Sequence, residues 1–300
     1  MKMKAFFEQE KFEHITSDPL NKDIQFYQRI KKPFLECLPE TEHKRFKEIH
    51  KLKYAYGIVK AHKEGHPLRI ISSSFETLTS KAEKTLMQYL TPLIKHCKFS
   101  VGSTKIFKEH FVNEMKDKNF KNYEFCSLDI KSMYPSISTD KAIKLLSRLV
   151  FQKYKNLKIF PSDGRCKKMS PYIFETFMKN IFIDLNNVRT EIGFFKQTSG
   201  LPMGSPLSAL IANIYVSEIE TKILPEFLEN GTVQFYRRYA DDSACLIRKR
   251  HLPKLLKAFN QYDKNIKWLS GTMINEKLLF LDTEIRIENN SAVLYNYSKS

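Results

Sequence analysis

The sequence predicts an α+β fold built on an antiparallel sheet with helices on one face. Three observations predict it. Short runs of strand-forming residues, as in FYRRYADDSACLIRK (235–249), flank tight turn sites. Apolar residues in 75–98 and 197–220 recur at helical spacing. The order strand, helix, helix, hairpin, helix, hairpin along the chain is that of an α+β domain.

Residues 1–50 are charged, with scattered apolar and aromatic side chains, and are interrupted by Pro33 and Pro39; they predict helical pieces. YAYGIVKAHKEGHPLRIISSS (54–74) has two β-rich ends around a polar middle with Gly65 and Pro67, a hairpin pattern. In 75–98, Leu78, Ala82, Leu86, Tyr89, Leu90 and Leu93 fall on one helical stripe. NYEFCSLDIKSMYPSI (122–137) opens as a strand, with Cys126, Leu128 and Ile130 on one face and Phe125, Ser127 and Asp129 on the other. A helix over 139–154 follows. QTSGLPMGSPLSALIANIYVSEIE (197–220) is a Gly- and Pro-rich loop feeding a helix with Leu207, Leu210, Ile211 and Ile214 on its stripe. After the 235–249 hairpin a helix begins near Pro253. Residues 277–297 predict a last hairpin turning at Asn289-Asn290.

With 42% hydrophobic and 28% charged residues, the 300-residue chain has the composition of an ordinary globular protein. Its net charge of +17 is less ordinary and suits a polyanion. No apolar run approaches membrane-spanning length and the first residues are too short for a signal peptide. The partner is therefore expected to be nucleic acid, with no membrane, in the nucleus or cytoplasm. Cys37, Cys97, Cys126, Cys166 and Cys245 form no CxxC or Cys/His cluster, so they predict reduced thiols and no structural zinc.

Asp241 and Asp242 sit side by side in the hairpin, where like charges repel. A solvated turn accommodates such a pair; so does a metal site, where a divalent cation offsets the repulsion. Asp129, near the end of its strand, supplies a third carboxylate if the strand and hairpin are sheet neighbours. Three convergent carboxylates fit two-metal phosphoryl transfer.

LDIKSMYPSI, SGLPMGSPLS and YADD stand in the order and spacing of motifs A, B and C of reverse transcriptases, and YGIVKAHKEGHPLRIISSS resembles their fingers motif. That last wording, with RRYADD and FLDTEI, is similar to Penelope-like retroelements. MYPSI also resembles a signature of family B DNA polymerases, but PMGSPLS followed by YADD does not. The resemblance spans roughly residues 15–297. It implies a right-hand polymerase with an N-terminal helical extension over 1–50 and fingers and palm over 51–297. Fingers would be mainly 51–124 and about 145–196, palm mainly 125–144 and 197–297.

The resemblance further implies an RNA-directed DNA polymerase working with two Mg²⁺ ions, a primed RNA or DNA template and deoxynucleoside triphosphates. Asp129 and Asp241 would ligate both metals, assisted by Asp242. Tyr134, five residues beyond Asp129, matches the aromatic steric gate against a ribose 2′-hydroxyl. Lys60 and Arg69 match the basic residues that hold the triphosphate. Gly200, Gly204 and Ser205 form the motif B turn; Met203 replaces the Gln common there, as in Penelope-like sequences. Gln197 is placed near the template strand, and Lys277 matches the lysine that protonates pyrophosphate. Phe280-Leu281-Asp282 resembles the segment that grips the primer end. A thumb and a GIY-YIG endonuclease, usual in the family, are not in this sequence; a missing C-terminal segment or a partner chain would supply the thumb. The rival reading is a decayed or domesticated element that binds nucleic acid without catalysis; intact Asp129, Tyr134, Asp241 and Asp242 favour activity.

Overall fold

The computed structural model describes residues 7, 12–60, 65–66, 68–116, 118, 120–271 and 277–297. In chain order the main elements are β1 (Phe12–Ile15), α1 (Leu20–Leu35), β2 (Lys53–Val59), β3 (Leu68–Ser73), α2 (Ser80–Leu90), α3 (Thr104–Met115) and β4 (Tyr123–Lys131). There follow α4 (Thr139–Arg148), α5 (Pro171–Lys179), β5 (Asn187–Thr190), β6 (Gly193–Gln197), α6 (Pro206–Glu229), β7 (Val233–Tyr239) and β8 (Asp242–Arg248). The chain ends with α7 (Leu252–Tyr262), β9 (Lys267–Ser270), β10 (Leu278–Phe280), β11 (Thr283–Glu288) and β12 (Ser291–Asn296). Among the described residues, no helix is long and apolar enough to cross a membrane.

Two compact units divide the chain: residues 1–95 with 137–212, and 96–136 with 213–300. The first holds a five-stranded sheet in the order β1-β6-β5-β2-β3. The expected hairpin of β2 and β3 is present, with Tyr56 opposite Ile71 and Ile58 opposite Arg69; most of its turn lies outside the described residues. Residues 20–46 form the expected helical pieces, Leu20–Leu35, Glu40–His43 and Lys44–Phe46, and two features refine that reading of residues 1–50. Phe12–Ile15 is a strand on the sheet edge, registered against Phe194–Gln197. Pro33 lies inside the last turn of α1 rather than breaking it. The sheet also contains one parallel pairing, β2 with β5, so it is not antiparallel throughout. Phe7, Ala55, Ile70, Val188 and Phe195 pack together on one side of it. The α2 stripe behaves as its spacing dictates: Leu78, Ala82, Leu86, Tyr89, Leu90 and Leu93 are all buried.

The second unit carries a four-stranded antiparallel sheet, β7-β8-β4-β9, and a three-stranded one, β10-β11-β12. Directly paired residues share a face, so Tyr236, Cys245 and Cys126 point one way and Phe235, Leu246 and Phe125 the other. Helices cover the first face: Tyr236 bonds Glu220 of α6, and Phe259 of α7 stacks on Trp268 of β9 at 4.2 Å. On the opposite face Phe107 and Phe111 of α3, with Leu278, Phe280 and Ile285, close a cluster over Phe125 and Phe235. The last hairpin turns at Asn289 and Asn290, both in the left-handed region (φ 48° and 59°), which Asn tolerates. It is the C-terminal part of a three-stranded sheet, because Leu278–Phe280 adds a strand. All five cysteines are free.

Candidate active site

The register of β4 and β8 places Asp129 directly opposite Asp242. The Ile130 amide donates to the Asp241 carbonyl at 3.1 Å. That bond marks Asp129–Asp242 as a non-hydrogen-bonded pair of the ladder, the kind whose side chains approach most closely. Tyr239 is the partner of Asp242 on the other side, so Tyr239, Asp242 and Asp129 form one row across three strands, on the face opposite Cys126, Leu128 and Ile130. Asp241 lies in the two-residue turn with Ala240. Ala240 has φ 53°, a conformation that costs a residue with a Cβ roughly 1 kcal/mol. Asp129 and Asp241 are half-buried and Asp242 is exposed.

Among the described residues, no three His, Cys, Asp or Glu side chains are gathered tightly enough to hold a metal ion by themselves. The donor type, carboxylate oxygen from residues opposed across the ladder, is the one a hard divalent cation takes. Mg²⁺ characteristically takes one or two carboxylates and completes its shell with water and substrate phosphate, and like charges opposed across a ladder favour such a partner.

Tyr134 is half-buried in the one-turn helix Met133–Ser136, which β4 enters through Ser132 at φ 51°. Buried Met133 anchors that turn. Lys277 is half-exposed, with its ammonium 3.6 Å from Glu284, which also pairs with Arg286. Within the Phe280-Leu281-Asp282 turn, Phe280 is in the core and Asp282 accepts from Thr104 at 2.9 Å.

The first unit contains the other expected residues. Arg69 is exposed on β3, opposite Ile58, and Lys60 follows the end of β2, half-buried. Gly204 stands in the left-handed half of backbone space (φ 121°), where a Cβ would fall 2.5 Å from the Ser72 carbonyl oxygen. The close approach that requires glycine here is thus to β3. Two bonds tie the loop to that strand: Ser72 N–H donates to the Met203 carbonyl at 2.7 Å, and Ser74 Oγ donates to the Gly204 carbonyl at 3.1 Å. Gln197, expected near a template strand, is buried and donates to the Ser199 carbonyl at 2.9 Å. Its amide therefore holds the start of the glycine loop.

Sequence reasoning missed two buried ion pairs. Lys53 and Glu83 meet at 3.1 Å beneath this loop. Burial pushes the Glu83 carboxyl up, but the charge of Lys53 and the hydroxyls of Ser205 and Thr79 outweigh it and hold the group below its ordinary value. Arg238 and Glu220 meet at 2.6 Å with neither side chain exposed. The signal for the second was legible: in a strand, the dipeptide Arg237-Arg238 must send one arginine to each face, and both faces here are covered.

A family model of "Reverse transcriptase (RNA-dependent DNA polymerase)" matches residues 61–287. No curated protein sequence matches the chain. Among solved structures, telomerase from Candida tropicalis, truncated from its C-terminal domain, is similar at 15% identity and TM-score 0.60, covering 97% of this chain and 58% of that one. Telomerase from Candida albicans, in complex with a TWJ fragment of telomeric RNA, gives 14% identity and TM-score 0.56, over 96% and 53%. The RNA-dependent RNA polymerase of BmCPV at quiescent state gives 10% identity and TM-score 0.52, over 89% and 24%. The chain thus spans little more than half the length of the telomerases it resembles and about a quarter of the viral polymerase. At these identities the likeness is one of fold.

Proposed function

The chain belongs to the reverse transcriptase family, and on that premise we propose that it is an RNA-directed DNA polymerase extending a primer 3′-hydroxyl. The observation that supports this best is Asp129 opposite Asp242, with Asp241 in the adjoining turn. These three carboxylates would hold two Mg²⁺ ions, which when bound supply Lewis-acid activation of the hydroxyl and charge stabilisation for departing pyrophosphate.

In this reading Lys60 and Arg69 bind the triphosphate, the guanidinium as a fork and the ammonium as a point charge. Tyr134 excludes a ribose 2′-hydroxyl by overlap with its ring. Met203 and Gly204 face the nucleotide, and Lys277 holds the proton given to pyrophosphate. A primed RNA or DNA template binds through its phosphates to a chain of charge +17, so affinity falls steeply with salt. The wording of YGIVKAHKEGHPLRIISSS, RRYADD and FLDTEI supports a Penelope-like retroelement as the source.

The test is Mg²⁺-dependent extension of primed RNA and DNA templates. Asp241→Asn is expected to reduce extension about a hundredfold or more while leaving primer–template affinity within about twofold. A variant that keeps most of its activity overturns the carboxylate role. Tyr134→Ala is expected to raise the kcat/KM ratio of ribonucleotide to deoxynucleotide about tenfold, and Tyr134→Phe to leave it unchanged, because the ring forms the wall. Equal ratios in wild type and Tyr134→Ala would remove the residue-level support for DNA as product.

A further inference from the structure

Arg238 is fully buried on the helix-covered face of the four-stranded sheet, and every arm of its guanidinium is engaged. Nε donates to Glu220 Oε1 at 2.6 Å. Nη2 donates to Asn213 Oδ1 and Ser217 Oγ, both at 2.9 Å, and to Glu220 Oε2 at 3.2 Å. Asn213, Ser217 and Glu220 are spaced four and three residues apart, so α6 offers them as one stripe. The remaining arm, Nη1, donates at 2.8 Å to the carbonyl of Ala240, the residue at φ 53° that turns the chain into Asp241. Tyr236 supports the same cluster by donating to Glu220 Oε1 at 2.9 Å.

We propose that Arg238 is a positioning residue for the carboxylate turn, fixing Asp241 and Asp242 against Asp129 by tying the strained Ala240 peptide to α6. A planar fork can satisfy a helix stripe and a turn carbonyl at once, which a lysine ammonium cannot reproduce at the same atoms. The neighbouring Arg237 provides the contrast. It points to the other face, where Nε donates to His110 Nδ1 at 2.9 Å and Nη2 pairs with Glu114 of α3. Its Nη1 donates to the carbonyl of Tyr236, back along the strand and away from the turn. The proposal rests on the reading of the three aspartates as divalent-metal ligands.

The test compares wild type, Arg238→Lys and Arg237→Lys in two assays: Mn²⁺ titration of the protein followed by electron paramagnetic resonance, and steady-state primer extension. Arg238→Lys is expected to weaken Mn²⁺ binding about tenfold and to lower kcat by a similar factor, with the deoxynucleotide KM nearly unchanged. Arg237→Lys is expected to leave Mn²⁺ affinity at the wild-type value. A folded Arg238→Lys with lowered Tm but wild-type Mn²⁺ affinity and kcat overturns the proposal, since Arg238 would then serve stability alone. If Arg238→Lys does not fold, the double variant Asn213→Ala/Ser217→Ala decides, because it loosens the fork without unpairing the charge. It should weaken Mn²⁺ binding about threefold, and wild-type affinity there overturns the proposal. A wild type that neither binds Mn²⁺ nor extends a primer overturns the polymerase reading, and the proposal with it. A wild type that does both, matched by Arg238→Lys, overturns the proposal alone.

Discussion

In the unit of residues 1–95 and 137–212, Lys53 and Glu83 are buried together beneath the glycine loop; in the other unit, Arg238 and Glu220 are buried together beneath the carboxylate turn. Both pairs are out of water, yet their satisfaction differs. Lys53 Nζ lies 3.1 Å from Glu83 Oε1 and, among the described residues, makes no hydrogen bond of good geometry, so its half of the pair relies on charge attraction while Glu83 Oε1 accepts from Thr79 Oγ1 at 2.5 Å. Arg238 distributes its donors over Glu220, Asn213, Ser217 and Ala240. Loop attachment differs in the same sense. The glycine loop is fastened by backbone bonds to β3 and by the steric demand at Gly204, whereas the carboxylate turn is fastened by a side-chain fork. A buried ion pair is therefore not one kind of object. Where lone pairs and protons are satisfied it can define geometry; where they are not, desolvation offsets most of its attraction.

The largest expected effect tests the steric fastening. Gly204→Ala places a Cβ 2.5 Å from the Ser72 carbonyl, a backbone atom that cannot rotate away. Chemical denaturation should show a loss of about 3 kcal/mol or more. A loss under about 1 kcal/mol would mean that the loop is free to leave β3.

Next come the two pairs themselves, each replaced by apolar residues of similar size. Lys53→Met with Glu83→Leu is expected to change stability by less than about 1 kcal/mol, because relief of the unsatisfied Lys53 ammonium offsets the acceptor that Thr79 and Ser205 lose. Arg238→Met with Glu220→Leu is expected to cost about 2 kcal/mol, because buried Ser217 loses its partner, Tyr236 keeps only Ser243, and the turn carbonyl of Ala240 is no longer tied to the helix. Equal changes in the two denaturation curves would erase the distinction drawn between them.

The smallest effect is one of pH. Since the folded Glu83 carboxyl titrates below its ordinary value of 4.5, ionised Glu83 contributes stability above that pH and loses it as pH falls through the folded value. Glu83→Gln should lower Tm by about 2–4 °C at pH 7. The gap to wild type should close as pH drops below 4.5. A gap independent of pH would assign the effect to packing rather than to charge.

Much of both regions is legible in the sequence. The α2 stripe, the 235–249 hairpin and the Asn289-Asn290 turn follow from local periodicity and turn chemistry, which act over a few residues. Asp129, Asp241 and Asp242 are legible as residues, and motif order suggests that they meet. The strand Phe12–Ile15 is not legible: four residues, two of them charged or polar, become a strand only because β6, some 180 residues later, offers an edge. The helix Thr104–Met115 is equally hidden, as is strand Lys267–Ser270, whose place in the sheet depends on pairing with β4.

By itself the sequence determined the identity and spacing of the chemical groups, the faces of strands and helices they occupy, and the membership of the family. Tertiary structure alone decided that Asp242 rather than Asp241 stands directly across from Asp129, that Gly204 is needed against β3, and that Arg238 reaches α6 and Ala240. The physical reason is that alternation and periodicity depend on neighbours along the chain, whereas register and buried partners depend on which distant segments fill the same space. A strand dictates that Arg237 and Arg238 point opposite ways; only packing supplies what each of them meets.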